Sequence, residues 1–248
     1  IMNEQTVSVT TADGEMTTYT FRPDDGGPFP AVILYMDAPG IREELFDFCR
    51  QIADQGHFVL LPDMYYRLGE LRFDLKQMAD PDSPVRKEMF DAMGSLNIQL
   101  VIDDTKGMLD YLSTEPNAKD GPTGCLGYCM SGQYVVSVAG TYPDHFAAAA
   151  SLYGVGIVTD ADDSPHLLAG NIKAELYLGF ADTDPYVPYN VVPDLKSALD
   201  EHSVSYKLDV WPGTEHGFCF PGRGTMYNEA AAEKVWDLVF DLYARKLS

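Results

Sequence analysis

The chain has 248 residues, and its 38 acidic residues outnumber its 17 basic residues to give a formal net charge of −21. This balance argues against binding to nucleic acid, because few cations are available to neutralise phosphates, and against an anionic membrane surface. Apolar residues make up 46% of the chain, a share that is typical of a globular protein and excludes global disorder.

The N-terminal segment predicts an antiparallel hairpin. Polar and apolar residues alternate over residues 6–10 and again over 16–21, and Asp13-Gly14 between the two runs is a common hairpin turn. We expect this hairpin to lie at one edge of a larger sheet.

The rest of the chain alternates short apolar runs with segments of helical period. Continuous apolar runs are typical of strands that are buried on both faces, as in a parallel sheet. The clearest such run lies at residues 31–36, and further strands are predicted at residues 58–62, 124–128, 146–153, 174–179 and 206–211. Helices are predicted over residues 45–53, 84–112 with a break near 94–95, 131–142 and about 229–247.

Buried strands that alternate with helices predict an α/β fold, in which a mostly parallel central sheet is covered by helices on both faces. No shift in composition marks a boundary, so we expect one domain over residues 1–248. Functional sites in such sheets lie beyond the carboxyl ends of the strands. The turns expected to meet there begin after Met36, Tyr128, Phe180 and Trp211.

The strongest local motif is Gly-Tyr-Cys-Met-Ser-Gly at residues 127–132, between a predicted strand and a predicted helix. In a nucleophile elbow, the nucleophile occupies a tight strand–turn–helix corner between small residues. Here the corner residue is Cys129, where the free N–H groups of the following helix favour a thiolate. The backbone N–H of Met130 would face a developing oxyanion. The alternative is that Cys129 is an inert buried thiol in a glycine-rich turn.

Two later segments supply an acid and a base. Asp184 follows one predicted strand and His216 follows the next, so the order nucleophile, acid, histidine is that of the α/β-hydrolase triad. His216 could accept the thiol proton of Cys129, and Asp184 could orient the imidazole. Asp182 is the alternative acid. Taken singly, His216 could be a loop histidine and Asp184 a turn-forming residue.

With these motifs the sequence resembles the dienelactone hydrolase (carboxymethylenebutenolidase-like) family of α/β-hydrolases over nearly the whole chain. The resemblance also covers the N-terminal hairpin, Met-Asp-Ala-Pro-Gly at 36–40, Leu-Pro-Asp-Met-Tyr at 61–65, Tyr-Gly-Val-Gly at 153–156 and His-Gly-Phe at 216–218. It implies an α/β-hydrolase fold, a triad of Cys129, Asp184 and His216, and the N–H of Ala38 as a second oxyanion donor.

The elbow region departs from the family pattern at two positions. The family usually continues the elbow with two glycines, whereas this chain has Ser131-Gly132, and we expect the small serine to have little effect. The residue before the second oxyanion donor is a glutamate in the type enzyme, where it takes part in activating the thiol. Here it is Asp37, whose side chain is one methylene shorter, so its reach towards Cys129 is reduced.

The substrate-binding arginines of the family are only partly matched. The type enzyme binds a substrate carboxylate with two arginines, one of them four residues past the histidine. That position is Phe220 here, the nearest arginine is Arg223, and Arg86 is the candidate for the other. Among the aromatics, Tyr153 is the one we expect to face substrate. We therefore expect a hydrolase of small esters or lactones that does not prefer dienelactone itself.

Two other functions stay open at this point. A ligand-binding or regulatory protein on a hydrolase scaffold is favoured by Asp37 and the missing arginine, since a fold does not determine a function. A thiol redox protein is suggested by the spacing of Cys125 and Cys129, although Cys125 is predicted to point into the core from its strand.

The remaining features concern cofactors and location. The five histidines lack the spacing of metal ligands, and no phosphate loop or dinucleotide fingerprint is present, so we expect no metal and no cofactor. Four cysteines do not make a disulfide scaffold. The N-terminus has no secretory pattern and no apolar run reaches about 18 residues, so we expect a cytoplasmic protein. The sequence does not indicate an oligomeric state.

Overall fold

A computed structural model describes all 248 residues, and it divides the chain into two compact units, Ile1–Asp120 and Gly121–Ser248. Each unit contains four strands and its own helices. The expectation of one domain over residues 1–248 stays a prediction. No helix has both the length and the apolar character needed to cross a membrane.

The first unit begins with the predicted hairpin. β1 pairs with β2 in an antiparallel register that turns at residues 12–13, β2 is antiparallel to β4, and β4 is parallel to β3. The strands are β1 (Met2–Thr11), β2 (Gly14–Pro23), β3 (Ala31–Tyr35) and β4 (Phe58–Pro62). The helices are α1 (Glu43–Asp54), α2 (Leu75–Met78), α3 (Pro84–Gly94) and α4 (Ile98–Thr114).

Local sequence explains these elements. Every residue of β3 and of β4 is buried, as their continuous apolar runs predict. The long helical segment is interrupted at the predicted place, because α3 ends at Gly94 and Asn97 starts α4 by accepting a hydrogen bond from the N–H of Leu100 at 2.9 Å. The predicted pattern of strands and helices is therefore confirmed for this unit, while the short helix α2 was not predicted.

The second unit consists of four parallel strands that pair in chain order. The strands are β5 (Thr123–Tyr128), β6 (Phe146–Leu152), β7 (Glu175–Thr183) and β8 (Tyr206–Glu215). The helices are α5 (Gly132–Thr141), α6 (Val191–Glu201) and α7 (Glu229–Lys246). Because all four strands run the same way, their carboxyl ends lie at one edge of the unit.

Sequence patterns were wrong about where β7 and β8 end. The predicted strands stop at residues 179 and 211, whereas β7 and β8 stay paired as far as Thr183 and Glu215. The last paired residues, Thr183 and Glu215, are polar, so local hydrophobicity does not reveal that they belong to the strands. Helix α6 was not predicted, because proline usually indicates a loop. Pro193 lies in the first turn of the helix, where proline is tolerated.

Candidate active site

The residues that directly follow the four parallel strands form a single group. Cys129 follows β5, Tyr153 follows β6, Asp184 follows β7 and His216 follows β8. Since parallel strands place their carboxyl ends at one edge, a residue in this position is directed towards the same site from each strand. Three of the four are the residues predicted to carry the reaction, and all belong to the second unit.

Cys129 has the backbone of a nucleophile elbow. Its φ is +55°, in the left-handed region that costs an ordinary residue about 1–2 kcal/mol. A Cβ on Gly127 would stand 2.6 Å from the carbonyl oxygen of Ser131, and a Cβ on Gly132 would overlap the backbone of Gly154. The small flanking residues are therefore required by close backbone approach, as the motif predicts.

The three predicted residues are joined by two short contacts. His216 Nδ1 lies 2.7 Å from Asp184 Oδ2, and His216 Nε2 lies 3.1 Å from Cys129 Sγ. A carboxylate can only accept, so Nδ1 carries the hydrogen and donates it to Asp184. This leaves Nε2 facing the sulfur, which is the arrangement in which an imidazole exchanges a proton with a nucleophile.

His216 is 9% exposed and lies between two tyrosine rings. The centroid of its ring is 4.8 Å from that of Tyr186 and 5.0 Å from that of Tyr153, both in edge-on geometry. Burial disfavours the charged imidazole, but hydrogen bonds to Asp184 and Cys129 outweigh burial and raise the pKa of His216 to about 9. The contacts with Asp184 and Cys129 therefore favour the charged form of the imidazole.

The structure distinguishes the two candidate acids. Asp184 has one carboxylate oxygen on His216, and the other accepts from the N–H of Tyr186 at 2.9 Å. Asp182 instead accepts from the N–H of Gly213 at 3.0 Å, where it links the ends of β7 and β8. Asp184, and not Asp182, is thus the carboxylate that lies within hydrogen-bond distance of the imidazole.

The two candidate oxyanion donors belong to different units. Met130 lies in the short 3-10 helix Cys129–Ser131 and is 1% exposed. Ala38 lies in the first unit, where its carbonyl accepts a hydrogen bond of 2.7 Å from the hydroxyl of Tyr65. The role of both N–H groups as oxyanion donors stays a prediction.

Asp37 has a partner that the sequence analysis missed. Its carboxylate is 1% exposed and forms two hydrogen bonds with the guanidinium of Arg42, at 2.6 and 3.0 Å. Burial opposes the charge on Arg42, but the attraction and hydrogen bonds of Asp37 outweigh it and raise the arginine pKa. Arg42 therefore fixes the orientation of the Asp37 carboxylate through two charge-assisted hydrogen bonds.

The predicted substrate contacts remain predictions. Tyr153 is 1% exposed with φ +36°, and it packs against His216. The side chain of Arg223 packs against Gly217, the residue after His216. Arg86 donates to the carbonyl of Met78 at 3.1 Å and lies over the ring of Phe90 in the first unit.

The other cysteines are buried. Cys49, Cys125 and Cys219 have little or no exposed surface, whereas Cys129 is partly exposed. Burial raises the pKa of the Cys125 thiol, and its strand directs it into the core as expected. Burial likewise raises the pKa of the Cys219 thiol. Low thiolate content makes these three poor nucleophiles and poor redox partners.

Two further residues support the triad and were given no role from sequence. Tyr186 contacts both His216 and Asp184, and Val155 donates its N–H to the carbonyl of Cys129 at 2.9 Å. The position of Tyr186, two residues after Asp184, was the one signal in the sequence that could have indicated an aromatic ring packed on His216. The contact of Val155 left no local signal, because it joins segments that are distant along the chain.

Comparison with known proteins identifies the family. The model of the dienelactone hydrolase family matches residues 16–247. A curated protein of Synechocystis sp., "Putative carboxymethylenebutenolidase", is 25% identical over 97% of this chain and 96% of its own length. Among solved structures, the "Putative Dienelactone Hydrolase" of Klebsiella pneumoniae has a TM-score of 0.85 at 21% identity, covering 99% of both chains. A dienelactone hydrolase-like promiscuous phosphotriesterase from metagenomic libraries has a TM-score of 0.83 at 17% identity, covering 100% of this chain and 99% of its own.

These similarities span almost the whole chain and confirm the predicted α/β-hydrolase fold, with its mostly parallel strands and N-terminal hairpin. The family match covers far more than half of the sequence and includes the elbow, the acid turn and the histidine turn. The chain therefore belongs to the dienelactone hydrolase family, whose members are hydrolases that act on ester or lactone bonds.

Proposed function

We propose that the protein hydrolyses small esters or lactones through Cys129, His216 and Asp184, by way of a thioester intermediate. The observation that carries this proposal is the continuous chain of contacts from Asp184 through His216 to the sulfur of Cys129. The sulfur is presented on a strained turn and is partly exposed, so a substrate carbonyl can approach it.

Attack on the substrate forms the first intermediate. His216 accepts the proton of the thiol, and the sulfur of Cys129 adds to the carbonyl carbon to form an S–C bond. The carbonyl oxygen becomes an oxyanion that the N–H groups of Met130 and Ala38 stabilise. The C–O bond to the leaving alcohol then breaks, and His216 gives its proton to the departing oxygen.

Hydrolysis of the thioester completes the cycle. His216 accepts a proton from water, the hydroxide adds to the thioester carbonyl, and the second tetrahedral intermediate expels the thiolate of Cys129. Asp184 keeps the same imidazole nitrogen facing the sulfur in both halves and stabilises its charged form. We expect hydrolysis of the thioester to be the more demanding half of the cycle.

We also propose that the protein is cytoplasmic and that its partner is the small ester or lactone substrate itself. A net charge of −21 disfavours nucleic acid and anionic lipid as partners. Cell fractionation that placed the native protein in a membrane pellet would contradict this part of the proposal.

Steady-state hydrolysis of p-nitrophenyl acetate and of the lactone dihydrocoumarin tests the mechanism. We expect Cys129→Ala to lower kcat by about a thousandfold or more, because loss of a triad nucleophile has effects of this order. Asp184→Asn should lower kcat by about a hundredfold or more through misorientation of the imidazole.

Asp182→Asn is the matched control, because it removes a carboxylate two residues away that holds Gly213 rather than His216. We expect its kcat to stay within about threefold of the wild type. Full ester turnover by Cys129→Ala would remove the sulfur from the mechanism. Equal losses in Asp182→Asn and Asp184→Asn would remove Asp184 as the specific orienting acid.

A further inference from the structure

A cavity of about 220 Å³ lies in the second unit beside the proposed triad. Its walls come from the segment after β6 and from the segment between β7 and the start of α6. The apolar side chains that line it are Val155, Val158, Tyr186, Val187, Pro188 and Val191. The mechanism described above does not use this cavity.

Three contacts join the cavity wall to the triad. The N–H of Val155 donates to the carbonyl of Cys129 at 2.9 Å, and the N–H of Tyr186 donates to Asp184 at 2.9 Å. The ring of Tyr186 also lies edge-on against the imidazole of His216 at 4.8 Å. The cavity wall is therefore in direct contact with all three triad residues, although the triad residues themselves do not line the cavity.

The wall is uncharged and mostly apolar. Four valines, a proline and a tyrosine are six of its nine residues, the other three are Gly154, Gly156 and Thr159, and no Asp, Glu, Lys, Arg or His lines it. A carboxylate placed there would lose hydration without gaining a hydrogen-bonded cation, which is unfavourable. Pockets for whole ligands usually have about 300–1,000 Å³, so this smaller cavity suits one substituent of a substrate.

We propose that this cavity is a subsite for an uncharged, apolar substituent of the ester, and that the protein prefers neutral apolar esters over esters with a carboxylate substituent. The inference rests on the function proposed above, because it assigns a substrate class to the same triad. Tyr186 connects the cavity to the triad, because it forms part of the cavity wall and its ring also packs on His216.

Two ester series test the subsite. The first varies the acyl group of p-nitrophenyl esters from acetate to butyrate, and the second varies the alcohol of acetate esters from methyl to propyl. Each buried methylene should raise kcat/KM about fourfold, so two methylenes should raise it about fifteenfold in the series whose variable group enters the cavity. Hemisuccinate p-nitrophenyl ester, which carries a carboxylate, should be a poorer substrate than the butyrate.

Variants of opposite effect provide the structural test. Val158→Phe fills the cavity and should reduce the fifteenfold preference to about one, whereas Val187→Ala enlarges it and should move the preference towards hexanoate. Val210→Phe and Val210→Ala are the matched controls, because Val210 is an exposed valine on β8 outside the cavity. We expect both to keep the wild-type preference.

The outcomes separate this inference from the proposed function. If Cys129→Ala abolishes turnover but Val158→Phe and Val187→Ala keep the wild-type preference in both series, the subsite is wrong and the triad stands. If hemisuccinate is preferred over butyrate, the apolar substrate class is wrong. Binding of hexanamide to Cys129→Ala, measured by calorimetry, gives a readout that is independent of turnover. Adding Val158→Phe to this variant should weaken the binding about tenfold or more. Equal binding by the two variants would overturn the subsite.

Discussion

The strained backbone at Cys129 predicts that glycine is more stable than alanine at this position, the reverse of the usual order. With φ at +55°, a residue that has a Cβ is disfavoured by about 1–2 kcal/mol. Glycine has no such penalty, but its greater freedom in the unfolded chain offsets about 0.4–1 kcal/mol of the gain. Cys129→Gly should therefore unfold with a free energy about 0.5–1 kcal/mol higher than Cys129→Ala.

Comparing these two variants isolates the backbone contribution, because both lack the sulfur and its contact with His216. The assay is equilibrium unfolding in urea at pH 7, with the free energies taken from midpoints at a common slope. Ala244→Gly, at an exposed position in α7, is the control and should be destabilised by up to about 1 kcal/mol. If Cys129→Ala is as stable as Cys129→Gly or more stable, the turn is not strained and the reasoning fails.

Three further predictions concern pH and packing. Because the pKa of His216 is raised from 6.5 to about 9, its protonation adds up to about 3 kcal/mol to the free energy of unfolding. This contribution is fully present below pH 6.5 and is lost as the pH rises through 9. Urea unfolding at a series of pH values should show the loss, and His216→Gln should make the free energy of unfolding depend less on pH over this range. Gly132→Ala should destabilise by about 2 kcal/mol or more and reduce ester turnover, since its Cβ overlaps backbone; native thermal stability would contradict this. Arg42→Met should destabilise the protein by about 3–5 kcal/mol, because the buried Asp37 carboxylate loses its arginine. Chemical denaturation should show that adding Asp37→Asn recovers part of this loss, whereas additive losses would argue against the pair.

Much of the fold and the candidate triad was predictable because the relevant signals are local. Apolar runs, the helical period and the Asp13-Gly14 turn depend on neighbouring residues, so strands and helices were assigned in nearly the correct places. The elbow around Cys129 is a compact motif whose flanking glycines have a steric purpose. The order of nucleophile, acid and histidine along the chain was likewise visible without coordinates.

The sequence favoured Asp184 over Asp182 as the acid, but only the tertiary structure shows which of the two contacts His216. Both carboxylates follow the apolar part of the same strand, and the residue that comes first after the strand depends on how far β7 stays paired with β8. That pairing joins residues about thirty positions apart, so no local pattern records it. The ion pair of Asp37 with Arg42 also depends on geometry, because it needs a turn that brings the guanidinium back onto the carboxylate.

Chain order and local periodicity were thus sufficient to predict the class of fold, the elbow and the three side chains that lie in contact at its end. Packing alone established the 2.7 and 3.1 Å contacts of His216, the edge-on ring of Tyr186 and the apolar cavity beside it. The physical reason is that hydrophobic pattern and turn chemistry act over a few residues, whereas hydrogen-bond geometry and cavity shape depend on where distant strands end in space.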